Sequence, residues 1–199
     1  MELPMLKKYR EEVVPALKAK FGYENVHQVP RIEKIVLNSS FGKAEDRKAA
    51  SADVIADLGV ITGQKAVATR SKTSISNFKL REGDVVGARL TLRGRRMWEF
   101  IDRFFNIAIP TIRDFRGLSS KTFDGRGNFT CGIADHTIFP EIELDKVKRT
   151  IGFDCTIVTT ATNDDHAREL LTLLGLGFRK PSQPVKTEEG TDAPEANAA

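Results

Sequence analysis

The sequence predicts one domain of mixed helix and strand, built around a sheet with an apolar face and a polar, cationic one. Three observations carry this. Residues 85–93 alternate, with Val86, Ala88, Leu90 and Leu92 on one side and Val85, Gly87, Arg89, Thr91 and Arg93 on the other, the period of a half-buried strand. Elsewhere apolar residues recur at three and four, as in Met97, Phe100, Ile101, Phe104 and Ala108, the stripe of a helix packed on a core. The chain has 199 residues, 40% of them apolar, enough to close one hydrophobic core.

Taken in order, Leu6, Tyr9, Val13, Leu17 and Phe21 predict a first helix that Pro15 bends and Gly22 ends. Lys7, Lys8, Arg10, Lys18 and Lys20 fill its remaining surface, first of all as a solvated face and only second as an RNA contact. Residues 31–38, bounded by Pro30, carry Ile32, Ile35, Val36 and Leu37 and predict a strand. It is expected to stop in the turn-rich run Asn38-Ser39-Ser40-Phe41-Gly42. There Asn38 reads as a backbone-capping turn residue, or as an amide facing a base or ribose edge. A second helix is expected over residues 44–58, with Ala50, Val54 and Leu58 on one face and Gly59 as its stop.

Val67 and Ala68 read as a short strand, followed by the polar loop Arg70-Ser71-Lys72-Thr73-Ser74 and the alternating strand. The third helix is expected to end at Pro110. Trp98, one residue off its stripe, reads as packing at the margin of the core, with base stacking as the competing role. Residues 111–127 break the periodicity, and Asp124-Gly125-Arg126-Gly127-Asn128 is a turn signal. Its glycines leave open a phosphate cradle, although no Walker or dinucleotide spacing is present. Strands follow at residues 128–133 and 153–160, then a helix opening at Thr162-Asn163-Asp164-Asp165, with Ala167, Leu170, Leu171 and Leu174 as its stripe and Gly175 as its end. From Arg179 the composition shifts to Pro, Thr, Glu and Ala, which predicts a disordered acidic tail over residues 179–199 and a single domain over 1–178.

The charge is concentrated. Residues 63–103 hold ten Lys and Arg against four Asp and Glu, while the whole chain carries only +4. An Arg-Thr-Arg strand face suits phosphates and riboses, because Arg offers a planar fork of donors and Thr a neutral donor and acceptor. A face charged only for solubility is the bland alternative. The apolar runs are too short to span a bilayer, and the N-terminus lacks the order of a signal peptide. Cys131 and Cys155 show no CxxC spacing, so buried thiols in a reducing cytoplasm are expected. His27, His136 and His166 are scattered without ligand spacing. No metal, cofactor, membrane or small-molecule substrate is therefore expected. A Cys131–His136 pairing is one catalytic alternative that the sequence leaves, and an RNA-modifying enzyme using Cys131 or Asp124 is another.

Six motifs in succession carry a resemblance: Gly63-Gln64-Lys65, FKLREG over 78–83, TLRG over 91–94, IRDFRGL over 112–118, FDGRGN over 123–128 and IFPEI over 138–142. Together they resemble the bacterial large-subunit ribosomal protein five family, which binds 5S rRNA in the central protuberance. The likeness covers residues 1–178. It implies an α+β fold: a curved antiparallel sheet with helices packed on one face, a concave RNA-binding face and long functional loops. It implies a cytoplasmic, ribosomal, non-enzymatic protein that attaches 5S rRNA to large-subunit rRNA. Carried over to this sequence, Asn38, Gln64, Thr91 and Arg93 would lie in the 5S contact, and Lys65, Arg89 and Arg95 of the cationic stretch are placed with them. Arg70, Ser71, Lys72, Thr73 and Ser74 would face P-site tRNA. Arg113, Asp114, Phe115, Arg116, Glu141 and Glu143 would meet a small-subunit head protein at an inter-subunit bridge. Here Ser39-Ser40 replaces a Gly-containing turn usual in the family, Ala66 a Pro, Thr73 a Lys and Trp98 a Tyr. The alternative function is a general RNA- or protein-binding adaptor without 5S specificity.

Overall fold

A computed structural model describes residues 3–41, 47–112, 115–147 and 149–179. The expected helix start at Ala44 and nearly all of the expected tail lie outside them. Five strands, β1 Ile32–Ser40, β2 Val67–Arg70, β3 Val85–Leu92, β4 Phe129–Ile133 and β5 Phe153–Thr159, form one sheet in the order β2-β3-β1-β5-β4. Every neighbouring pair is antiparallel. The sheet is open, with β2 and β4 at its edges. Strand β1 buries Ile32, Ile35, Leu37 and Ser39 on one side and exposes Glu33, Asn38 and Ser40 on the other. This alternation is that of an antiparallel sheet with one covered face. The fold is α+β.

Helices cover the buried face. α1 Pro4–Lys8 runs through a π-helical turn, Tyr9–Val13, into α2 Val14–Phe21. α3 is Arg47–Thr62. α4 Gly94–Arg103 runs through a second π-helical turn, Phe104–Ala108, into α5 Ile109–Thr111, and α6 is Asp164–Leu174. α3 packs on β3 and β2, α4 on β1, and α1 on α4.

Both π-helical turns precede a proline at the second position of the next segment, Pro15 and Pro110. A proline ring clashes with the carbonyl four residues back and lacks an N–H. The residues four back, Glu11 and Asn106, lie inside the widened turns, where the backbone is spaced to admit the ring. The helix therefore passes Pro110 instead of ending there. Gly59 is likewise no stop, because α3 continues to Thr62. Its left-handed cap is Gly63, at φ 65°, whose N–H donates to Gly59 O at 2.9 Å.

The buried side chains form one cluster centred on Phe100, Phe104, Phe129 and Phe139 with Ile35, Leu37, Leu92 and Ile157. Trp98 belongs to it. It is 8% exposed, and its ring centroid lies 5.6 Å from that of Tyr9. Trp98→Ala should cost about 3 kcal/mol of folding stability, read as a lower urea midpoint at unchanged slope. An unchanged midpoint with loss of RNA binding would move Trp98 from the core to the interface.

Candidate nucleic-acid interface

The register assembles the uncovered face. One row crosses the sheet as Val67, Arg89, Asn38, Asp154 and Gly132, all exposed. A second reads Thr91, Val36, Thr156 and Thr130, with the last two hydroxyls 3.1 Å apart. Strand β1 extends two residues past Asn38, so Asn38 lies mid-strand between Arg89 and Asp154 rather than in a turn. Its amide faces solvent. Ser39, expected in that turn, is instead buried and donates to Gly152 O at 2.7 Å.

This face is less cationic than the sequence suggests. Of the charges in residues 85–93, only Arg89 lies within β3; Arg93 sits one residue beyond it, in extended backbone at the N-cap of α4. Hydroxyls and one amide dominate the centre, with Asp154 on the β5 side. Asp154 was not singled out from sequence. Its position opposite Asn38 depends on pairing two strands far apart in the chain. The cations collect where β3 meets α4: Lys65, Arg89, Arg93, Arg95 and Arg96 are all exposed. Arg95 also pairs with Glu99 at 2.7 Å. Gln64 Nε2 donates to Thr91 O at 3.2 Å, fixing its amide beside Thr91 at this corner.

The loop between β2 and β3 is a braced hairpin. Ser71 N donates to Asp84 O at 2.8 Å, Gly83 N to Ser71 O at 3.0 Å, and Ile75 and Leu80 exchange backbone bonds. Arg70 donates to Gly83 O, Ser71 Oγ to Thr73 O, and Ser74 Oγ accepts from Glu82 N. Residues 70–74 thus form one arm of the hairpin. Its tip is the 3₁₀ turn Ser76–Phe78 with Lys79 at φ 49°; Phe78 is 67% and Ile75 43% exposed. The signal for the tip was present, an aromatic outside any apolar stripe, but only the fold places it there.

At the other edge, Arg113 and Asp114 lie outside the described residues. Phe115 packs half-buried on the core, and Arg116 and Glu143 are exposed. Glu141 is held by Arg103 of α4, so it anchors its segment to the fold. A groove of about 650 Å³ along β4, lined by Thr111, Ile112, Gly132, Ala134, Thr137 and Ile138, adjoins both segments.

The glycine-rich turn is a latch and no phosphate cradle. Its amides are occupied by protein carboxylates: Arg126 N and Asn128 N donate to Asp124 at 2.8 and 3.0 Å, Gly125 N and Gly127 N to Asp164 at 3.1 and 2.8 Å. Gly127 has φ 78°, and a Cβ there would lie 2.8 Å from Ala161. The turn and the start of α6 are fitted to each other.

Nor do the described residues assemble a reaction centre. Cys131 and Cys155 face each other across β4 and β5. The Cys131 thiol donates to Cys155 O at 3.7 Å. The neighbouring Cys131 and complete burial hold the Cys155 thiol well above its ordinary value, an inert state. His136 is buried, its Nδ1 accepting from Ile151 N at 3.2 Å and its Nε2 facing Asp57 at 3.5 Å. Those contacts hold the ring in a structural role, tying the 136–151 segment to α3. No group of metal-ligand side chains occurs among the described residues.

An open sheet clothed by helices on one face, and presenting amide, hydroxyl and guanidinium groups on the other, defines a scaffold that works through its surface. The chain belongs to the ribosomal protein L5 family. The family description "Ribosomal protein L5" matches residues 25–81, and the description of the same family's C-terminus matches residues 85–178. Among its relatives are proteins called large ribosomal subunit protein uL5. That of Magnetococcus marinus is 56% identical over 86% of this chain and 93% of its own. The Alkaliphilus metalliredigens protein is 51% identical over 87% and 97%, and that of Brevibacillus brevis 49% over 90% and 100%.

The latch has a pH signature. Bonds from the Asn128 side chain and from backbone amides lower the Asp124 carboxyl below its ordinary 3.8. A lowered folded value means the stabilisation is complete above 3.8 and fades as pH falls below it toward the folded value. Asp124→Asn should reduce stability at neutral pH and flatten the loss of stability below pH 3.8. An acid limb identical to that of the parent chain would remove this carboxylate from the turn.

Proposed function

We propose that the chain is a structural constituent of the large ribosomal subunit, acting in the cytoplasm within the ribosome and catalysing no reaction. Its uncovered sheet face and the β3–α4 corner bind 5S rRNA and attach it to large-subunit rRNA in the central protuberance. The observation that carries this reading is the exposed row Arg89, Asn38 and Asp154 beside the row Thr91, Thr156 and Thr130. Arginines at the rim position phosphates, while amides and hydroxyls at the centre suit 2′-hydroxyls and base edges. Family membership and the names of the relatives support the assignment to the large subunit. Residues 1–178 are the working unit, and the segment after them lies outside it.

Two further contacts belong to this reading. The 71–84 hairpin touches P-site tRNA, with the exposed Phe78 and Lys79 at its tip adding to Arg70, Ser71, Lys72, Thr73 and Ser74 on its arm. The β4-edge groove, with Phe115, Arg116 and Glu143 near it and Arg113 and Asp114 in the same segment, meets a protein of the small-subunit head. The Arg103–Glu141 pair holds the neighbouring 139–143 segment to α4.

Filter binding against 5S rRNA and a scrambled RNA of equal length, over a salt series, tests the central claim. Preference for 5S rRNA that survives moderate salt is expected; equal, salt-erased binding would reduce the face to an electrostatic patch. Arg93→Ala should weaken 5S binding and flatten its salt slope by roughly 0.7 to 0.9 per lost phosphate contact. An unchanged slope removes Arg93 from the phosphate contacts. In ribosomes reconstituted with Phe78→Ala, P-site tRNA affinity should fall by about 1 to 3 kcal/mol, the worth of one base–aromatic stack, at unchanged 5S binding. Unaltered tRNA affinity would take Phe78 out of that contact.

A further inference from the structure

We propose that the acidic end of this chain, residues 187–199, docks back onto the cleft between the first helix and the chain entering β1, and holds that cleft in the free protein against foreign polyanions. This goes beyond the reading above and stands whichever RNA the sheet face takes. The family match ends at residue 178, so it gives no account of this segment. Residues 187–199 carry Glu188, Glu189, Asp192 and Glu195 and no Lys or Arg. The cleft is their electrostatic complement. It encloses about 470 Å³ and is walled by Arg10, His27 and Arg31, with Tyr9, Val26 and Thr160 among the remaining lining residues and no carboxylate among them. Among the described residues, the side chains of Arg10, His27 and Arg31 make no hydrogen bond or ion pair. Other surface cations are already matched: Lys20 with Glu169, Arg95 with Glu99, Arg103 with Glu141 and Arg168 with Asp165.

The walls are fixed in advance. Tyr9 O–H donates to Pro30 O at 3.1 Å, Arg31 N to Thr160 Oγ1 at 3.0 Å, and Thr160 N to Arg31 O at 2.9 Å. Arg10 comes from the π-helical turn that accommodates Pro15. Two guanidinium forks with open donors match carboxylates, and Val26, 57% exposed, offers apolar contact to the Ala193-Pro194 pair between the acidic residues. Chain reach permits the contact. α6 begins shortly after Thr160 of the cleft wall and ends beside the first helix, where Lys8 Nζ, two residues before Arg10, donates to Leu174 O at 3.3 Å. Arg179, the last described residue, follows Leu174 by five residues, at most about 17 Å of chain. Glu188 follows Arg179 by nine, up to about 30 Å. A segment tethered so closely acts at roughly millimolar effective concentration, so ion pairs that are individually weak suffice to populate the contact.

The test compares the full chain with a neutral-tail variant of equal length, Glu188→Gln/Glu189→Gln/Asp192→Asn/Glu195→Gln. In isotope-labelled protein at low salt, the backbone amide signals of Arg10, His27 and Arg31 should differ between the two. The difference should vanish in about 1 M salt, where charges are screened beyond about 3 Å. Binding of heparin, a polyanion probe, is then measured in a double-mutant cycle with Arg10→Ala/Arg31→Ala. Neutralising the tail should strengthen heparin binding about threefold more in the parent background than in the cleft variant. A second cycle, with Arg93→Ala/Arg96→Ala at the β3–α4 corner, should show no such coupling. Cleft amides that do not differ, or an equal gain in parent and cleft variant, would overturn the proposal, the second because it reports only general repulsion. Coupling to the corner in place of the cleft would overturn it too. The amide comparison changes nothing in the folded part, so it decides the matter even if a cleft variant unfolds. Neither readout contains RNA, and failure here leaves the sheet-face reading untouched.

Discussion

Ile35 and Leu37, both fully buried on the central strand β1, set the register on which the rest depends. Side chains alternate across a strand, so a slip of one residue would exchange its faces. Asn38 would then enter the core, and Leu37 would meet solvent. Strand β1 pairs with β3 on one side and β5 on the other, so its register transmits to both halves of the sheet. The alignment of Arg89, Asn38 and Asp154 is a consequence of burying Leu37.

The helices complete that constraint. They supply the apolar surface that the sheet needs on one side and leave the other open. Neither proline breaks them, because a π-helical turn absorbs each. Continuity through Pro15 carries Tyr9 and Arg10 toward Pro30 and Arg31. Continuity through Pro110 lets the Phe104 helix reach the IRDFRGL segment. The surface loops are equally determined by packing: the Asp164 carboxylate at the start of α6 clamps the glycine-rich turn, and Arg103 clamps Glu141. Rigid loops on a rigid sheet suit a scaffold, since RNA shape recognition loses affinity when the recognising surface must first be ordered.

The element types were legible because each rests on local periodicity. The alternation of residues 85–93, the stripe from Met97 to Ala108 and that from Ala167 to Leu174 all appear as expected. Boundaries were less legible. Gly59 and Pro110 have the chemistry of stops, yet tertiary packing continues the helix through each; Asn38 has the chemistry of a turn, yet pairing on both sides draws it into a strand. The site was legible in part. Arg89, Thr91, Gln64 and Arg93 cluster near one corner as their common stretch of sequence suggests. Asp154 and Phe78, which the fold adds to the candidate surfaces, were not singled out, one because its row is made by strand pairing, the other because exposure of an aromatic is decided by the hairpin around it.

By itself, then, the sequence determined the alternation of helix and strand, the concentration of cations in residues 63–103 and membership of the L5 family, because local pattern and ordered motifs are written along the chain. Only the tertiary structure decided which charges remain open for a partner. Arg95, Arg103, Glu141 and Asp164 look as available in sequence as Arg10, Arg31 or Arg93, and their partners lie up to tens of residues away. Arg10 and Arg31 become walls of one cleft through a tyrosine hydroxyl bound to Pro30. That convergence is a property of packing, which no local pattern encodes.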